Sequence, residues 1–391
     1  MSGSGTGAPV LCDVTMFWSP IGGGVRKYIE RKRDWLRRRM PGVGHLLIVP
    51  GPSSSASEGP GSGHVTCVVR GLSLPFAPGY RVPPSKRETV EVLRRFAPHV
   101  IECGSPFVMR GAVSSFLRER PETAVFDYYH AYFPLNYAAA LGRGLAWLRR
   151  PLIGVGWPYL ARRYRDSRKV LLGASGIEKV LHSRGITHTT VAPLGIDLSF
   201  FSSEGPGTRP EPPVLLFVGR LSEEKGLSAV MGAYSLLKGR TGARLRVVGD
   251  GIMMKRLLRA AELDPGIEVL GFVAGEEMPR VYRSSTLLVS AAPAETLGFC
   301  FLEALACGIP VVGIEGSGLV GTLPPDVCVG VRSASPPALA GACESLIASS
   351  PEPSRCRQAV EGYDWEPSIE RIVALELREA GLAGLLEGAG T

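Results

Sequence analysis

Short apolar runs alternate with longer helical patterns along almost all of the 391 residues of this chain. Runs of this length are typical of buried strands, and the segments between them carry apolar residues at helical spacing. Repeated strand–helix units build parallel sheets, because a parallel connection needs a crossover long enough to hold a helix. The alternation therefore predicts an α/β fold with doubly wound parallel sheets.

A Pro- and Gly-rich stretch at 201–213 (FSSEGPGTRPEPP) interrupts this alternation, and such a composition marks a linker. We therefore expect one Rossmann-like domain at 9–200 and a second at 214–364. Residues 365–391 form a helical pattern without a following strand, which predicts a terminal helix across the domain junction. Because ligands of doubly wound sheets bind at the carboxyl ends of the strands, the cleft between the domains is the expected active site.

Two stretches of the first half carry local breaks in the pattern. Residues 51–63 (GPSSSASEGPGSG) are of low complexity and predict a mobile loop. The helical pattern over 136–165 contains Pro151 and Pro158, which lack an N–H and are expected to break the helix. Arginines interrupt the most apolar stretch, 138–160, so no transmembrane helix is predicted.

A basic pair follows the first predicted strand of the second half, Val214–Val218. Arg220 offers a planar fork of donors and Lys225 a compact charge about one turn later, so together they are suited to the two phosphates of a diphosphate. A solvated basic loop before a helix is the alternative. Gly219 begins this loop, and Gly249 and Gly251 form a tight turn after the next strand, where the backbone can approach a ligand.

The segment ETLGFCFLE (295–303) begins after the predicted strand Leu287–Ser290 and runs into the predicted helix Phe299–Ala306. Gly298, after Leu297, permits a tight turn that leaves backbone N–H groups free to face a phosphate. Glu303 lies in an apolar helical stretch, where a carboxylate is costly without partners, and ribose hydroxyls are suitable donors to it. Glu295 lies in the loop before the helix, where it can face a sugar. The alternative for Glu303 is an exposed position on the helix.

Two features of the first half complete the candidate site. Gly22, Gly23 and Gly24 follow the first strand and precede a helix, so backbone amides there can approach a ligand, although the spacing is not GxGxxG. His130 closes the turn DYYH at a strand end, where an imidazole can donate to a sugar hydroxyl or orient an acceptor. A flexible turn and a structural histidine are the alternatives.

With these residues in place, the second half resembles glycosyltransferase family 4, a group of retaining enzymes with the GT-B fold. The matching stretches are FVGRLSEEKG (217–226), VVGDG (247–251), LGFV (270–273) and ETLGFCFLEALACGIPVV (295–312). The last of them holds two glutamates separated by seven residues, as in the family's E-x7-E motif. The first half matches more weakly, through its glycine loop and the D-x-x-H turn that ends at His130.

The resemblance implies a hexosyltransferase with two Rossmann-like domains facing a central cleft. The first domain (9–200) is the implied acceptor side, and the second (214–364) is the implied nucleotide-sugar-binding side. Its implied donor is a nucleotide-diphosphate sugar of the GDP-mannose or UDP-glucose type, and its acceptor a hydroxyl of a glycan or glycolipid. The implied roles are diphosphate binding by Arg220, Lys225, Gly22, Gly23, Gly24, Leu297 and Gly298, ribose binding by Glu303, contact with the reacting sugar by His130 and Glu295, and a nucleotide pocket at Gly219, Gly249 and Gly251. The family generally needs no metal, so no cofactor is expected.

One departure from the family leaves the sugar open, because Thr296-Leu297 stand where the family often has Pro-Phe. Two alternatives to glycan or glycolipid transfer also stay open. One is transfer to a soluble metabolite, and the other is a catalytically silent protein that binds a nucleotide-sugar. A dinucleotide-dependent oxidoreductase is disfavoured because GxGxxG is absent.

Charge is divided unevenly along the chain. Residues 1–200 hold 27 Lys+Arg and 13 Asp+Glu, a net charge of +14 within a total of +8. The segment 26–39 (RKYIERKRDWLRRR) is the most basic, which fits either an anionic membrane surface or a solvated helix face. No nucleic-acid-binding module is visible.

The eight cysteines are scattered without a CxxC pair, so neither a disulfide framework nor a metal site is predicted. No signal peptide is recognisable at the amino terminus. We therefore expect a cytoplasmic protein, with attachment to the inner face of the membrane left open.

Overall fold

A computed structural model of the protein describes residues 8–18, 23–58, 63–74, 77–135, 138, 147–205 and 209–387. Two parallel sheets organise these residues, each covered by helices, and this confirms the predicted α/β class. Gly22 of the glycine loop lies outside the described residues, as do 59–62 of the low-complexity stretch.

An eight-stranded sheet forms the first domain, and its spatial order is β10-β9-β8-β7-β1-β2-β4-β3. These strands are β1 (Val10–Val14), β2 (Gly44–Gly51), β3 (Ser55–Glu58), β4 (His64–Arg70), β7 (Val100–Cys103), β8 (Ala124–Tyr128), β9 (Lys169–Leu172) and β10 (Thr189–Val191). A separate antiparallel hairpin joins β5 (Leu72–Leu74) and β6 (Ala77–Val82). In the large sheet β3 runs antiparallel to β4, and the other strand pairs among the described residues are parallel.

Helices connect these strands: α1 (Gly24–Arg39), α2 (Arg87–Phe96), α3 (Val108–Phe116), α4 (Arg149–Tyr164) and α5 (Glu178–His182). Helix α1 shows why the pattern folds this way, since Tyr28, Ile29, Trp35 and Leu36 recur about two turns apart and are all buried against the sheet.

Six parallel strands form the second domain in the order β13-β12-β11-β14-β15-β16. They are β11 (Val214–Val218), β12 (Arg244–Val248), β13 (Ile267–Gly271), β14 (Leu287–Val289), β15 (Val311–Ile314) and β16 (Cys328–Val331). Counted from the first strand of this domain, the order is that of the doubly wound dinucleotide-binding fold, and its topological switch point lies between β11 and β14.

Six helices accompany this sheet: α6 (Leu227–Thr241), α7 (Met254–Leu263), α8 (Met278–Arg283), α9 (Phe299–Ala306), α10 (Pro336–Ser349) and α11 (Pro353–Gln358). Helix α9 spans the residues expected from sequence. It ends before Gly308, whose φ of 84° is the left-handed conformation that closes a helix and that glycine adopts without strain.

The terminal helix α12 (Trp365–Glu379) follows the second domain in sequence but packs on α1 of the first. Its amino end is held by Asp364, whose carboxylate accepts from the Glu366 N–H, and by reciprocal backbone hydrogen bonds between Ile196 and the 363–365 segment. The end of the first domain and the start of α12 are therefore fastened together at the junction.

Two local predictions were wrong. Residues 55–58 form strand β3, although we expected 51–63 to be a mobile loop, because the exposed edge strand needs only backbone partners on β4. Helix α4 runs through both Pro151 and Pro158. Pro151 lies in the first turn, where no N–H is needed, and Pro158 lacks the N–H that would donate to the carbonyl of Gly154, a residue exposed to water.

Candidate active site

The loops after β11 and β14 meet at the switch point of the second sheet, since these two strands are neighbours. The loop after β11 runs through 219–226 into α6, and the loop after β14 runs through 290–298 into α9. Ligands of doubly wound sheets bind in the crevice outside such a switch point. The two segments singled out in the sequence are thus brought to one place.

Close backbone contact explains the glycines of the predicted nucleotide pocket. A Cβ on Gly249 would lie 1.9 Å from the Gly219 carbonyl oxygen, and one on Gly251 would lie 2.5 Å from that of Leu221. Gly249 also has a φ of 132°, which other residues rarely adopt. The turns after β11 and β12 therefore pack directly on each other and leave a surface made of backbone.

Lys225 and Glu295 form an ion pair across the switch point, and both side chains are half-buried. The Glu295 N–H donates to Ser317 Oγ at 3.0 Å, and the Gly318 N–H donates to the Glu295 carbonyl at 2.9 Å. Ser317 and Gly318 were not predicted from the sequence as site residues. The Gly-Ser-Gly turn just after β15 was a possible signal, because such turns place backbone groups beside a neighbouring strand end.

Arg220 has a different environment from Lys225. Its side chain is 68% exposed, and its nearest carboxylate is Glu224, at 3.8 Å. Among the described residues no hydrogen bond joins Arg220 to Lys225 or Glu295. Arg220 therefore lies at the rim of the crevice, where its guanidinium is accessible to an anion from solvent.

Glu303 projects from α9, and Tyr282 of α8 donates a hydrogen bond of 2.7 Å to its Oε2 atom. Burial raises the pKa of this carboxyl above its ordinary value, while the Tyr282 hydroxyl and the positive charge of Lys27 oppose the rise. The exposed position considered from sequence is thus wrong. Tyr282 and Lys27 were not predicted from the sequence as groups that act on Glu303.

The glycine loop of the first domain faces α9 of the second. Gly23 is the residue before α1 and has a φ of 132°. A Cβ on Gly24 would lie 2.2 Å from the Phe299 ring, so only glycine lets the start of α1 approach the first turn of α9 this closely. The positive ends of two helices therefore converge near the crevice.

His130 lies across the cleft from the Glu295 loop. Its ring stacks on Tyr128 with centroids 4.2 Å apart, and burial lowers the pKa of the imidazole to about 3. Its buried Nε2 atom has no hydrogen-bond partner among the described residues. Thr296 Oγ1 donates to the His130 carbonyl at 2.8 Å, so the strand-end turn is tied to the opposite domain.

Asp127, at the start of the DYYH turn, faces away from the cleft. It is fully buried in an ion pair of 2.9 Å with Arg110 and accepts from Ser167. This pair anchors the end of β8 from which His130 follows. No cluster of His, Cys, Asp or Glu side chains suited to a metal ion occurs in the described part of the chain.

Most cations of the basic segment 26–39 are engaged within the protein. Lys32 is buried among Asp13, Glu102 and Glu376 at 2.8–3.3 Å. Other pairs on α1 are Arg26 with Glu30, Arg31 with Asp197, Arg37 with Asp34, and Arg38 and Arg39 with Glu366. Within the described ranges, no helix is both long and apolar enough to span a bilayer.

Known proteins resemble this chain in sequence and fold. Residues 212–349 match the family described as "Glycosyl transferases group 1". The chain is 28% identical over 296 residues to a GDP-mannose-dependent alpha-mannosyltransferase of Corynebacterium glutamicum, covering 70% of this chain but only 65% of that protein, less than two thirds of its length. It is 27% identical over 383 residues to a GDP-mannose-dependent alpha-(1-6)-phosphatidylinositol dimannoside mannosyltransferase of Mycobacterium tuberculosis, covering 93% of this chain and 95% of that protein.

Among solved structures, sucrose-phosphate synthase from Thermosynechococcus elongatus matches 95% of this chain and 98% of its own, with a TM-score of 0.70 and 18% identity. At that identity the likeness concerns the fold alone. The chain has the GT-B fold of glycosyltransferases, which confirms the fold predicted from sequence. The family match and the names of the two relatives support assignment of this chain to one class of glycosyltransferase, the hexosyltransferases.

Proposed function

We propose that this protein is a retaining family 4 glycosyltransferase that moves a hexose from a nucleotide-diphosphate sugar to a hydroxyl of a glycan or glycolipid. The observation that carries the proposal is the convergence of the Lys225–Glu295 pair and Glu303 at the switch point, opposite the start of α1. In this proposal the two glutamates act as the E-x7-E motif. GDP-mannose is the favoured donor, because both relatives are named as GDP-mannose-dependent.

In this proposal, different site residues bind different parts of the donor. Lys225, Arg220 and the amino end of α9 at Leu297 and Gly298 bind the diphosphate, whose charge they offset. Glu303 accepts from the ribose hydroxyls. The backbone surface of Gly219, Gly249 and Gly251 holds the rest of the nucleoside, and the amides of the glycine loop reach the phosphates from the other domain.

The reacting sugar lies between Glu295 and His130. The low pKa of His130 keeps the imidazole ring uncharged. The Nε2 atom of His130, which has no partner among the described residues, can therefore form a hydrogen bond with a sugar hydroxyl without adding a charge. The acceptor oxygen bonds to the anomeric carbon on the face from which the diphosphate departs, the bond from that carbon to the phosphate oxygen breaks, and the leaving phosphate takes the acceptor proton. Positioning and stabilisation of the leaving group supply the catalysis.

We further propose that the transfer needs no metal, since Lys225, Arg220 and two helix ends already place positive charge beside the diphosphate. Activity that persists after dialysis against EDTA supports this, whereas activity restored only by a divalent cation contradicts it. A reducing, cytoplasmic location is proposed as well, on the support of eight free cysteines, seven of them buried.

A thermal-shift screen against UDP-, GDP-, ADP-, dTDP- and CDP-sugars tests the donor class, because a ligand that binds the folded state raises the apparent melting temperature. We expect the largest shift with a GDP-sugar. If the melting temperature rises most with a sugar nucleotide of another base, the proposed GDP-sugar donor is wrong. If none of these nucleotide-sugars raises the melting temperature, the proposed glycosyltransferase function is wrong.

Variants of the charged site residues test its assignment. Glu303→Ala and Lys225→Ala each remove a charge-assisted hydrogen bond, so transfer is expected to fall about 10- to 100-fold. Glu223→Ala, in the same loop but paired with Arg256, is the matched control and keeps activity. If both site variants retain wild-type activity, the assignment is wrong. Slow hydrolysis of the donor by wild-type protein excludes a silent binding protein.

A further inference from the structure

Helix α4, together with Trp147 in the short turn just before it, exposes an apolar stripe on the surface of the first domain. Trp147, Pro151, Val155 and Pro158 follow one another at helical spacings of four, four and three residues and therefore share one face. Trp147 is 72% exposed and Val155 is 66% exposed. Folded proteins keep most of a tryptophan away from water, so a stripe of this kind indicates a surface that is covered by a partner.

The opposite face of α4 is part of the core, which fixes the direction in which the stripe points. Trp157, Leu160 and Tyr164 are buried and pack on the β9 side of the sheet. Gly156 lies so close to Pro134 that a Cβ there would come within 2.4 Å of the proline ring. The helix is thus fixed beside the segment that follows His130, on the side of the cleft that we assign to the acceptor.

The charge around the stripe indicates what covers it. From residue 128 to residue 165 the chain contains six arginines and no Asp or Glu. Arg150 and Arg162 are exposed beside the stripe, and among the described residues no carboxylate forms a salt bridge with either. An apolar stripe that contains tryptophan and is flanked by unneutralised arginines is complementary to the interface of an anionic lipid bilayer.

We propose that α4 is a membrane-docking surface, which lies flat on an anionic bilayer with Trp147 and Val155 at the level of the headgroups and Arg150 and Arg162 on the lipid phosphates. This inference deepens the proposed function by placing a lipid-linked acceptor next to the His130 side of the cleft. Docking itself requires no donor, so its test is independent of transfer.

Co-sedimentation with vesicles tests the proposal directly. Wild-type protein is expected to bind phosphatidylcholine vesicles that contain phosphatidylglycerol, to bind pure phosphatidylcholine weakly, and to be released by salt. Trp147→Ala/Val155→Ala is expected to reduce binding about tenfold or more, because the apolar contact is lost. Arg150→Ala and Arg162→Ala are each expected to reduce it about fivefold. Leu263→Ala, which removes an 88% exposed leucine from the second domain, is the matched control and binds as wild type.

Equal binding to neutral and anionic vesicles, or wild-type binding by the Trp147→Ala/Val155→Ala variant, overturns the proposal. Self-association that this variant abolishes, without vesicle binding by wild type, assigns the stripe to a second copy of the chain instead. Unchanged melting temperatures show that the variants fold. An unchanged shift with the donor separates loss of docking from failure of the proposed transferase.

Discussion

Two helices of the first domain are rich in basic residues, but the basic side chains of the two helices differ in ion pairing and in exposure to solvent. Helix α1 has eight cations in 26–39, but one is buried among carboxylates and most of the others lie in ion pairs, several with the terminal helix α12. Helix α4 has fewer cations, and its Arg150 and Arg162 face solvent beside an apolar stripe. The difference shows that the density of basic residues does not identify a docking surface, since what matters is whether carboxylates of the same chain already neutralise them.

The largest expected effect concerns the buried cation of α1. Lys32→Met removes the buried cation that pairs with Asp13, Glu102 and Glu376, all of them 3% exposed or less. Uncompensated carboxylates remain in the core, so the free energy of unfolding is expected to fall by about 3–5 kcal/mol, measured by urea denaturation.

A double variant sharpens this prediction. Burial raises the pKa of Glu376 well above its ordinary value, against the opposing charge of Lys32. Lys32→Met/Glu376→Gln removes one of the stranded carboxyls and is therefore expected to be more stable than Lys32→Met alone. If Lys32→Met is no less stable than wild type, the cluster does not hold α12 on α1.

The effect of intermediate size is a pH dependence of the free energy of unfolding, which arises from two buried histidines near α1. Burial lowers the pKa of His130 to about 3 and also lowers that of His45, which accepts from Arg33. The folded protein keeps both rings neutral, whereas the unfolded chain protonates them below pH 6.5. The unfolded state thus binds more protons, and the free energy of unfolding falls as pH decreases from 6.5, by up to about 1.4 kcal/mol per pH unit per histidine.

Urea melts between pH 7.5 and 4.5 measure this slope. His130→Asn is expected to flatten it. A slope that does not respond to His130→Asn contradicts the neutral buried ring. Vesicle binding through α4 depends on arginines and is expected to be insensitive to pH between 7.5 and 6.5, which separates the two helices again.

Strands and helices could be predicted from the sequence where their residues form one continuous apolar run. The strand Val214–Val218 and the helix Phe299–Ala306 were predicted with their observed limits, because buried parallel strands and short apolar helices are continuous in sequence. Strand β16 and helix α10 were missed, since Cys328–Val331 is short and contains glycine, and Pro336–Ser349 is rich in small residues that give weak periodicity.

Contacts between distant positions were not accessible in the same way. Lys225 was singled out as half of a basic pair that follows a predicted strand, and Glu303 as a carboxylate within an apolar helical stretch. Nothing local marks Tyr282 as a partner of Glu303, or Glu376 as a partner of Lys32, 344 residues away. For the same reason a basic segment was expected to be a charged surface, whereas the fold supplies its counter-charges from other strands and from α12.

The smallest expected effect is that of a variant on α1, and it tests whether α1 or α4 is the helix that binds membranes. Arg38→Ala/Arg39→Ala removes two exposed cations that pair with Glu366, at 2.8 and 3.1 Å. Exposed pairs contribute about 0.2–1 kcal/mol, so a slight fall in the unfolding free energy is expected. Because both arginines share the Glu366 carboxylate and lie on α1 rather than on the proposed docking surface, co-sedimentation with anionic vesicles is expected to change less than about twofold, against about fivefold for Arg150→Ala alone. If Arg38→Ala/Arg39→Ala abolishes vesicle binding while Arg150→Ala does not, α1 is the docking helix and the stripe on α4 has another partner.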